Sequence, residues 1–598
     1  MAATEYRRLT FIVWACITVA MAAILGQRAW EGWSADTDDA MRLVQVADLL
    51  GGQPWNDLTQ YRLNPPDGTS MHWARLPDAP IAVIAFALSP LMPVHQGLTV
   101  AAMVLPPIYF MLFLLPFAAS ARLLLGGARA PVALLVGMCG SVSLAQFIPG
   151  RVDHHGLQLV MLTIASTLLL MGLARSRWRH AITWAGVPFG LSIWIGIEML
   201  PLIAAWFAAL GLIWCRAGGD IAKYCARAAL LAALIGLAAL LTSTPPAHWL
   251  TPYCDALSPV LIAAMALIAG GFGVMHQFTE RTHSITPRLA IAALCGGSAA
   301  TIFLFSFPAC VGGDSLALDP LVQQQWLDRV SEARSVPEQF TALPFAAIGK
   351  LWVPVLGLGY CLWRVVRTRG RARDLWIALA IVLLCPTLLT FWQVRNANFA
   401  QLVALLPLAG LAADAWRKVR GQRAGWLQLA ALVPILFVCS IAFWPTIGWG
   451  YERIARTLGA SDAAIDETSK VECRNYLPIT VLPDQPALIL SYIDIGPMLL
   501  FSTPHAVVGA PYHRDNIGLK TTIELFRSSD DEVIRGRLRD LGIGWVVTCP
   551  GIEERSVYRT EAGDGLAERL AADKVPDYLE PVSDPKQPAL RFYRVRTP

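Results

Sequence analysis

Long apolar runs alternate with short arginine-rich segments over the first three quarters of the chain. Most of these runs approach the roughly 20 residues that a helix needs to cross a hydrocarbon core. The pattern therefore predicts a polytopic α-helical membrane protein with about 13 transmembrane helices. The predicted spans are 9–27, 97–119, 130–148, 156–174, 181–196, 197–215, 228–242, 259–276, 289–306, 346–364, 375–391, 399–415 and 427–445.

One further apolar run, PIAVIAFALSPLMPV at 80–94, is short and contains internal prolines. The positive-inside rule indicates whether it crosses the membrane. If it does not cross, all the arginine-rich loops lie on the cytoplasmic side with the N-terminus, whereas a crossing would move every one of them outside. We therefore predict an interfacial or re-entrant helix at 80–94. The loops concerned are 175–180, 215–227, 364–374 and 415–425.

The same topology places four polar segments on the external side of the membrane. Two of them are the long loops 28–79 and 307–345. The other two are short, PGRVDHH at 149–155 and FWQVRNANF at 391–399. Carboxylates, a histidine pair and a lone arginine are therefore expected on one face of the membrane.

After residue 445 the long apolar runs give way to short elements. PALILSYI, HAVVGAPY, IGWVVTCP and PALRFYRVR are typical of strands, and TTIELFRSSDDEVIRGRLRDLG and DGLAERLAADKV of amphipathic helices. We predict a transmembrane domain at 1–445 and an external soluble α/β domain at 446–598. Cys473 and Cys549 lie in the second domain, where an oxidising compartment would allow them to pair.

The composition agrees with a membrane protein. Of the 598 residues, 55% are hydrophobic and only 15% are charged, and the mean hydropathy is +0.50. Soluble proteins carry about 25% charged residues. The net charge of +5 comes from basic loops between the spans, so we expect membrane lipids and no nucleic acid as partners.

Two external motifs contain groups that ligate metal ions. The DTDD motif at 36–39 follows the first span, and clustered carboxylates bind divalent cations because the cation relieves their repulsion. The RVDHH motif offers Asp153, His154 and His155, a donor set that suits Mn²⁺, Mg²⁺ or Zn²⁺. The residues alone leave two other interpretations open: a solvated acidic loop end for DTDD, and capping of the next helix for RVDHH.

Two further residues are ambiguous when taken alone. Glu332, in the long loop 307–345, has the pattern of a surface glutamate. Arg395, beside aromatic residues in the loop 391–399, suits either a snorkelling side chain or a clamp for a phosphate group.

Taken together, these segments resemble the catalytic subunit of oligosaccharyltransferase and its single-chain relatives, within the GT-C membrane glycosyltransferases. In that family an acidic motif lies in the first external loop, where this chain has DTDDAMR. A second acidic motif follows the third span, at Asp153-His154-His155, and a glutamate lies in the large external loop, at Val330-Ser331-Glu332. A later external arginine, which contacts the donor phosphate in the family, matches Arg395.

The resemblance implies an inverting glycosyltransferase with a sugar donor linked to a polyprenyl phosphate or diphosphate. It implies a divalent metal, Mn²⁺ or Mg²⁺, with the expected ligands Asp36, Asp38, Asp153 and His155. Arg395 would bind the donor phosphate. The residue that orients or deprotonates the acceptor would be one of the carboxylates Asp36, Asp38 and Glu332.

This sequence departs from the family pattern at two places. His155 stands where relatives usually have a carboxylate, so the identity of the metal stays open. The tryptophan-tryptophan-aspartate motif that grips a protein sequon is absent, and its nearest match is Ser491-Tyr492-Ile493-Asp494-Ile495-Gly496. The acceptor is therefore unspecified: a protein, a lipid or a glycan.

The sequence leaves two alternative classes of function, a transporter and a noncatalytic scaffold. A transporter would carry charges inside its spans, but those predicted here are nearly free of them, with Glu198 the main exception, near an external turn. A noncatalytic scaffold for a cell-envelope polysaccharide pathway would use the same motifs as helix caps and partner contacts. For localisation we expect a bacterial inner membrane, with the N-terminus cytoplasmic and the C-terminal domain periplasmic.

Overall fold

The computed structural model of the protein describes residues 2–30, 36–139, 144–310, 318–420, 433–440, 443–457, 473 and 479–596. Its first helices are α1 (Ala3–Trp30), α2 (Thr37–Leu50), α3 (Asp78–Leu88), α4 (Val94–Leu125), α5 (Ala130–Cys139), α6 (His154–Ala174), α7 (Ala181–Trp184), α8 (Gly186–Ile195), α9 (Leu200–Ala217), α10 (Ile221–Ser243), α11 (Pro259–Gln277) and α12 (Ile285–Ser306). They are followed by α13 (Pro320–Gln325), α14 (Val336–Ala342), α15 (Pro344–Arg367), α16 (Gly370–Trp392), α17 (Ala397–Arg420), α18 (Phe443–Thr457), α19 (Gly496–Ser502), α20 (Asn516–Arg527), α21 (Asp531–Asp540) and α22 (Leu566–Ala571).

Ten of the helices in the described residues are long and apolar enough to cross a membrane, namely α1, α4, α6, α9, α10, α11, α12, α15, α16 and α17. Each coincides with one of the predicted spans, which confirms a polytopic helical protein. The predicted count of thirteen is not confirmed. The runs at 130–148 and 427–445 lie partly outside the described residues, and the run at 181–196 is divided between α7 and α8.

The short apolar run at 80–94 forms α3, a helix of 11 residues. Such a helix is about 16 Å long, which is too short to cross a membrane. Its first residue, Asp78, is buried between two arginines, with Arg42 of α2 at 2.9 Å and Arg75 at 3.2 Å. These ion pairs hold α3 against α2, the helix that follows the first acidic motif.

The C-terminal part contains a mixed five-stranded sheet, which confirms the predicted α/β character of this region. Its strands are β3 (Leu488–Ser491), β4 (Ala506–Val507), β5 (Ile543–Thr548), β6 (Leu579–Val582) and β7 (Arg591–Val595); β1 (Thr59–Gln60) and β2 (Thr69–Ser70) pair separately between α2 and α3. The strand order of the sheet is β4-β3-β5-β7-β6, with β3 parallel to β4 and β5, and β7 antiparallel to β5 and β6. Of these strands, β6 was not predicted from the sequence.

The hydrophobic core around this sheet extends beyond the C-terminal region. Met41 and Val44 of α2 are buried in the same cluster as Val322 of α13 and the strand residues Ile489 and Val546. The segment that carries α2 and the segment that carries α13 therefore pack with the C-terminal sheet as one apolar unit. This packing fixes α2, and with it the acidic motif at its start, between the membrane helices and the sheet.

Two disulfides lie among the described residues on this side. Cys473 pairs with Cys549, as the sequence allowed. Cys254, after α10, pairs with Cys310, after α12, a bridge that sequence analysis did not identify. The second bridge ties the start of the loop carrying Glu332 to the loop between α10 and α11.

The residue after Cys254 makes a polar clamp to the C-terminal region. The Asp255 carboxylate accepts two hydrogen bonds from the Arg514 guanidinium, at 2.7 and 2.8 Å, and its Oδ2 lies 2.7 Å from His513 Nε2. Charge-assisted bidentate pairs of this kind are about twice as strong as neutral hydrogen bonds. The clamp therefore joins the membrane helices to the sheet region.

Asp255→Ala is expected to lower the free energy of unfolding by about 2 kcal/mol, because the largely buried Arg514 guanidinium loses its charged partner. Thermal unfolding of the purified protein in detergent measures this. Asp577→Ala is the matched control, since Asp577 pairs with Arg535 at 2.9 Å on an exposed surface and is expected to contribute less than about 1 kcal/mol. Equal effects of the two substitutions would contradict a clamp.

Candidate functional site

The first acidic motif forms the beginning of α2. Asp36 is the N-cap residue, and its Oδ1 accepts a hydrogen bond from the Thr37 N–H at 2.7 Å. The other oxygen of Asp36 lies 3.0 Å from Nη1 of Arg151. Capping by an aspartate is a normal helix start, and here it also turns the carboxylate toward the second motif.

Asp39 joins the two motifs directly. Its buried Oδ1 accepts hydrogen bonds from the N–H groups of Val152 and Asp153, at 2.8 and 2.9 Å. Its Oδ2 lies 3.3 Å from Arg151 Nη1. Burial raises the pKa of Asp39 to about 7, although the Arg151 charge opposes the shift. The sequence included Asp39 in the acidic motif without a role, and the structure assigns it the docking of α2 onto the turn before α6.

Asp38 is at the centre of a group of mutually repelling carboxylates. Burial, together with the charges of Asp36, Asp153 and Glu332, raises its pKa well above the usual value for an aspartate. The structure therefore brings the predicted acidic residues of three separate segments into one electrostatic neighbourhood. A bound divalent cation would stabilise such a group, since it accepts carboxylate oxygens as ligands.

The second motif begins the membrane-spanning helix α6. Asp153 is the N-cap residue and its Oδ1 accepts from the His154 N–H at 2.6 Å. Helix capping, which the sequence had left as an alternative, is thus present. The Oδ2 oxygen of Asp153 is buried and makes no hydrogen bond. It lies 3.4 Å from His155 Nε2 and 3.6 Å from Arg151 Nη2, which is within ion-pair distance of the guanidinium.

A metal ion fits this arrangement. Ligand atoms of Asp153, His154 and His155 all lie within 4.8 Å of one another. His154 has a carboxylate oxygen near each ring nitrogen, Asp153 Oδ1 at 2.5 Å and Glu198 Oε1 at 3.1 Å. Asp153 Oδ2 and His155 Nε2 are therefore the better placed donors of the motif, and a bound ion would give the buried Oδ2 oxygen the partner that it lacks among hydrogen-bond donors. Whether Asp36 and Asp38 complete the ligand set stays a prediction.

A backbone hydrogen bond joins the segments that carry Glu332 and Arg395. The Arg395 N–H donates to the Glu332 carbonyl at 3.1 Å, and the Val394 N–H donates to the Arg334 carbonyl at 3.0 Å. The Glu332 side chain keeps contact with solvent, yet desolvation by the surrounding protein, followed by the Asp36 charge, raises its pKa, with Arg395 opposing. The predicted catalytic glutamate and the predicted phosphate-binding arginine are thus neighbours.

Lysine 350 is a charged residue of this neighbourhood that sequence analysis missed. Lys350 lies on the spanning helix α15, six residues after its start, and interacts electrostatically with Glu332. Within the described residues its ammonium has neither a hydrogen bond nor an ion pair. The signal was present in the sequence, because a lysine inside an apolar span marks a functional position.

The C-terminal region also reaches the acidic motif. The Tyr512 hydroxyl donates to the Thr37 carbonyl at 3.3 Å, between Asp36 and Asp38 in the chain. The Tyr512 ring packs edge-on against Trp73 of the first external loop at 5.4 Å. No motif in the sequence pointed to Tyr512, since its partners are distant along the chain.

The segment that replaces the family's tryptophan motif is largely internal. Tyr492 and Ile493 are fully buried, and the Tyr492 ring stacks on Tyr558 at 4.7 Å. The Glu554 carboxylate accepts hydrogen bonds from the N–H groups of Ile493 and Asp494 at 2.6 and 2.8 Å. Burial raises the Glu554 pKa to about 8, and the charge of Asp494 adds to the shift. The tyrosine is thus a core residue, and Asp494 alone of this segment's polar side chains keeps partial exposure.

Comparison with solved structures identifies archaeal oligosaccharyltransferases with this fold. The oligosaccharyltransferase AglB from Archaeoglobus fulgidus, in complex with an inhibitory peptide and a dolichol-phosphate, superposes with a TM-score of 0.65 at 14% identity, covering 98% of this chain and 74% of that one. An Archaeoglobus fulgidus oligosaccharyltransferase tethered to an acceptor peptide with an NVT sequon gives 0.68 at 14% identity, covering 100% and 74%. A complex with Zn and sulfate gives 0.62 at 15% identity, covering 95% and 71%.

These similarities confirm the GT-C fold that the motifs implied. No protein-family model matches the chain. No curated protein matches it in sequence either. The identity of about one residue in seven shows a shared fold, so the activity has to be argued from the residues of the site.

Proposed function

We propose that the protein is a metal-dependent glycosyltransferase that takes a sugar from a polyprenyl phosphate- or diphosphate-linked donor on the external face of the membrane. One observation carries this proposal: Asp36, Asp38, Asp153 and Glu332, from three separate segments, converge beside Arg395 within an oligosaccharyltransferase fold. The dolichol-phosphate bound by the archaeal enzyme supports a lipid-linked donor.

The donor phosphate would be held by the cationic side of the site. Arg395 is exposed, and its guanidinium makes no hydrogen bond or ion pair within the described part of the chain. A guanidinium matches two phosphate oxygens at once. Asp153 and His155, with Asp36 or Asp38, would hold Mn²⁺ or Mg²⁺, and such an ion stabilises the negative charge of a departing phosphate when bound.

The acceptor would be activated on the carboxylate side. Glu332 is solvent-accessible and its raised pKa suits a group that takes a proton near neutral pH. Asp36 and Asp38 are the alternatives, although Asp36 is already engaged by Arg151. The acceptor class stays unspecified, because the buried Tyr492 gives no exposed aromatic platform for a protein sequon.

The localisation proposed is the inner membrane of a bacterium, with residues 446–598 in the periplasm. The two disulfides, Cys254–Cys310 and Cys473–Cys549, support an oxidising compartment on the side of the site. The division into a transmembrane domain at 1–445 and an external domain at 446–598 belongs to the same proposal, with loops before residue 445 contributing to the core of the sheet after it.

The direct test follows consumption of a labelled polyprenyl-linked sugar by purified protein in lipid nanodiscs, with membrane extract as the source of acceptor. We expect donor loss that EDTA abolishes and that Mn²⁺ or Mg²⁺ restores. Folded protein that consumes neither a monophosphate- nor a diphosphate-linked donor with Mn²⁺, Mg²⁺ or Zn²⁺ would refute the proposal and favour the scaffold.

Arg395→Ala is expected to raise the KM for the donor about 10- to 100-fold, because two charge-assisted hydrogen bonds to phosphate are lost. Steady-state kinetics over a range of donor concentrations measure this. Arg177→Ala, which removes an exposed arginine beside Trp178 in the loop after α6, is the control and should leave the KM unchanged. An unaltered KM in the Arg395 variant would exclude a role in donor binding.

A further inference from the structure

Glu198 lies in the turn between α8 and α9 and has no role in the proposed function. Its side chain is three-quarters buried and its Oε1 lies 3.1 Å from His154 Nε2. The sequence identified this glutamate only as a charge near an external turn. The structure places it next to the second acidic motif, 44 residues away in the chain.

His154 in turn contacts Asp153, the carboxylate that is proposed to bind the metal. His154 Nδ1 lies 2.5 Å from Asp153 Oδ1 on the other side of the ring. Glu198, His154 and Asp153 therefore form a continuous chain of carboxylate, imidazole and carboxylate. Arg42 Nη2 lies 3.5 Å from the same His154 Nδ1, so the ring is held between Glu198 on one side and Asp153 and Arg42 on the other.

Glu198 is itself held in place. Its Oε2 accepts from Gln158 Nε2 at 3.2 Å, and Gln158 Oε1 accepts from the Ser192 hydroxyl at 2.6 Å. Gly196 makes room for it, because a Cβ there would lie 2.4 Å from Glu198 Oε2. A buried polar network that is satisfied in this way fixes the orientation of its members.

We propose that Glu198 is a positioning residue for Asp153, acting through His154, and this inference rests on the proposed function. Asp153 Oδ1 is fixed by the backbone and the ring of His154. The other oxygen, Oδ2, faces His155 Nε2 at 3.4 Å and Arg151 Nη2 at 3.6 Å, and it is the oxygen that a metal ion would use. Carboxylate partners of this kind orient ligands in metal sites, and their removal weakens metal binding 10- to 100-fold.

The test measures Mn²⁺ binding to the metal-free protein by electron paramagnetic resonance, in the absence of donor. Glu198→Ala is expected to weaken Mn²⁺ binding about 10- to 100-fold, and Glu198→Gln, which keeps an acceptor oxygen but not the charge, to weaken it less. Donor turnover by the alanine variant should recover at high Mn²⁺. Glu561→Ala, on an exposed loop, is the control and should bind Mn²⁺ as the wild type does.

A purely structural role of Glu198 predicts a different result. It would lower the unfolding temperature of the metal-free protein and leave the Mn²⁺ affinity of both variants at the wild-type value, and that outcome overturns the inference. If the alanine variant does not fold, the affinity of the glutamine variant decides in the same way. If the wild-type protein binds Mn²⁺ and consumes donor, the proposed function stands, whatever the result for the Glu198 variants.

Discussion

Asp153→Asn is expected to lower donor turnover by about 1,000-fold. This is the upper end of the loss in kcat seen when an enzyme loses one group that stabilises charge in the transition state. The substitution keeps the shape and the capping oxygen of the side chain but removes its charge and replaces one oxygen with an amide nitrogen. Asp153 Oδ2 is the buried oxygen that makes no hydrogen bond, and an amide N–H₂ there cannot ligate a cation.

The measurement pairs donor consumption with a titration of Mn²⁺ into the metal-free protein. Loss of both activity and Mn²⁺ binding is the expected result. Asp220→Asn is the matched control, because Asp220 precedes α10 and makes no capping hydrogen bond with its side chain. A variant that keeps Mn²⁺ affinity and turnover would remove Asp153 from the site, leaving it as a helix cap.

Glu332→Gln is expected to lower kcat about 100-fold or more while the donor KM changes little, because the lost group acts on the acceptor. The pH profile gives a sharper result. Desolvation and the Asp36 charge raise the pKa of Glu332, so the ionised form that accepts a proton is populated only above that raised value. Wild-type turnover should therefore fall on the acid side at a pH above the ordinary glutamate value of about 4.3, and this limb should be absent in the variant.

A matched substitution in the same loop provides the control. Glu338 completes a capping box with Ser335 at the start of α14, and glutamine serves equally well at that position. Glu338→Gln should keep the wild-type rate and the same acid limb. If the Glu332 variant also keeps its acid limb, another group takes the proton, and Asp38 becomes the first alternative.

The sequence was informative about features that depend on residues close to one another in the chain. Apolar length located ten helices, and the positions of DTDD, RVDHH, Glu332 and Arg395 relative to the spans indicated the GT-C layout that the structure confirms. Each of these signals rests on residues near one another in the chain. The assignment of roles to individual carboxylates is still a prediction, since an electrostatic neighbourhood does not by itself identify ligands.

Contacts between distant segments could not be predicted in this way. Asp39 binds the backbone of Val152 and Asp153, and Tyr512 reaches Thr37 from 475 residues away. The pairing of Cys254 with Cys310 depends equally on how the helices pack. Glu198 and Lys350, by contrast, could be recognised in the sequence as candidate functional residues, because charged residues within or beside an apolar span are rare.

The apolar core shared by α2 and the C-terminal sheet has a consequence for biosynthesis. Met41 and Val44 leave the ribosome early, yet they pack with Ile489 and Val546, which follow more than 400 residues later. The membrane helices can insert in order, but Met41 and Val44 of the helix carrying the first acidic motif lack their partners in the sheet until the strands have been made and have folded. On the proposed function, a chain whose C-terminal part has not yet folded would therefore lack a complete site, so activity would appear only once the whole molecule has assembled.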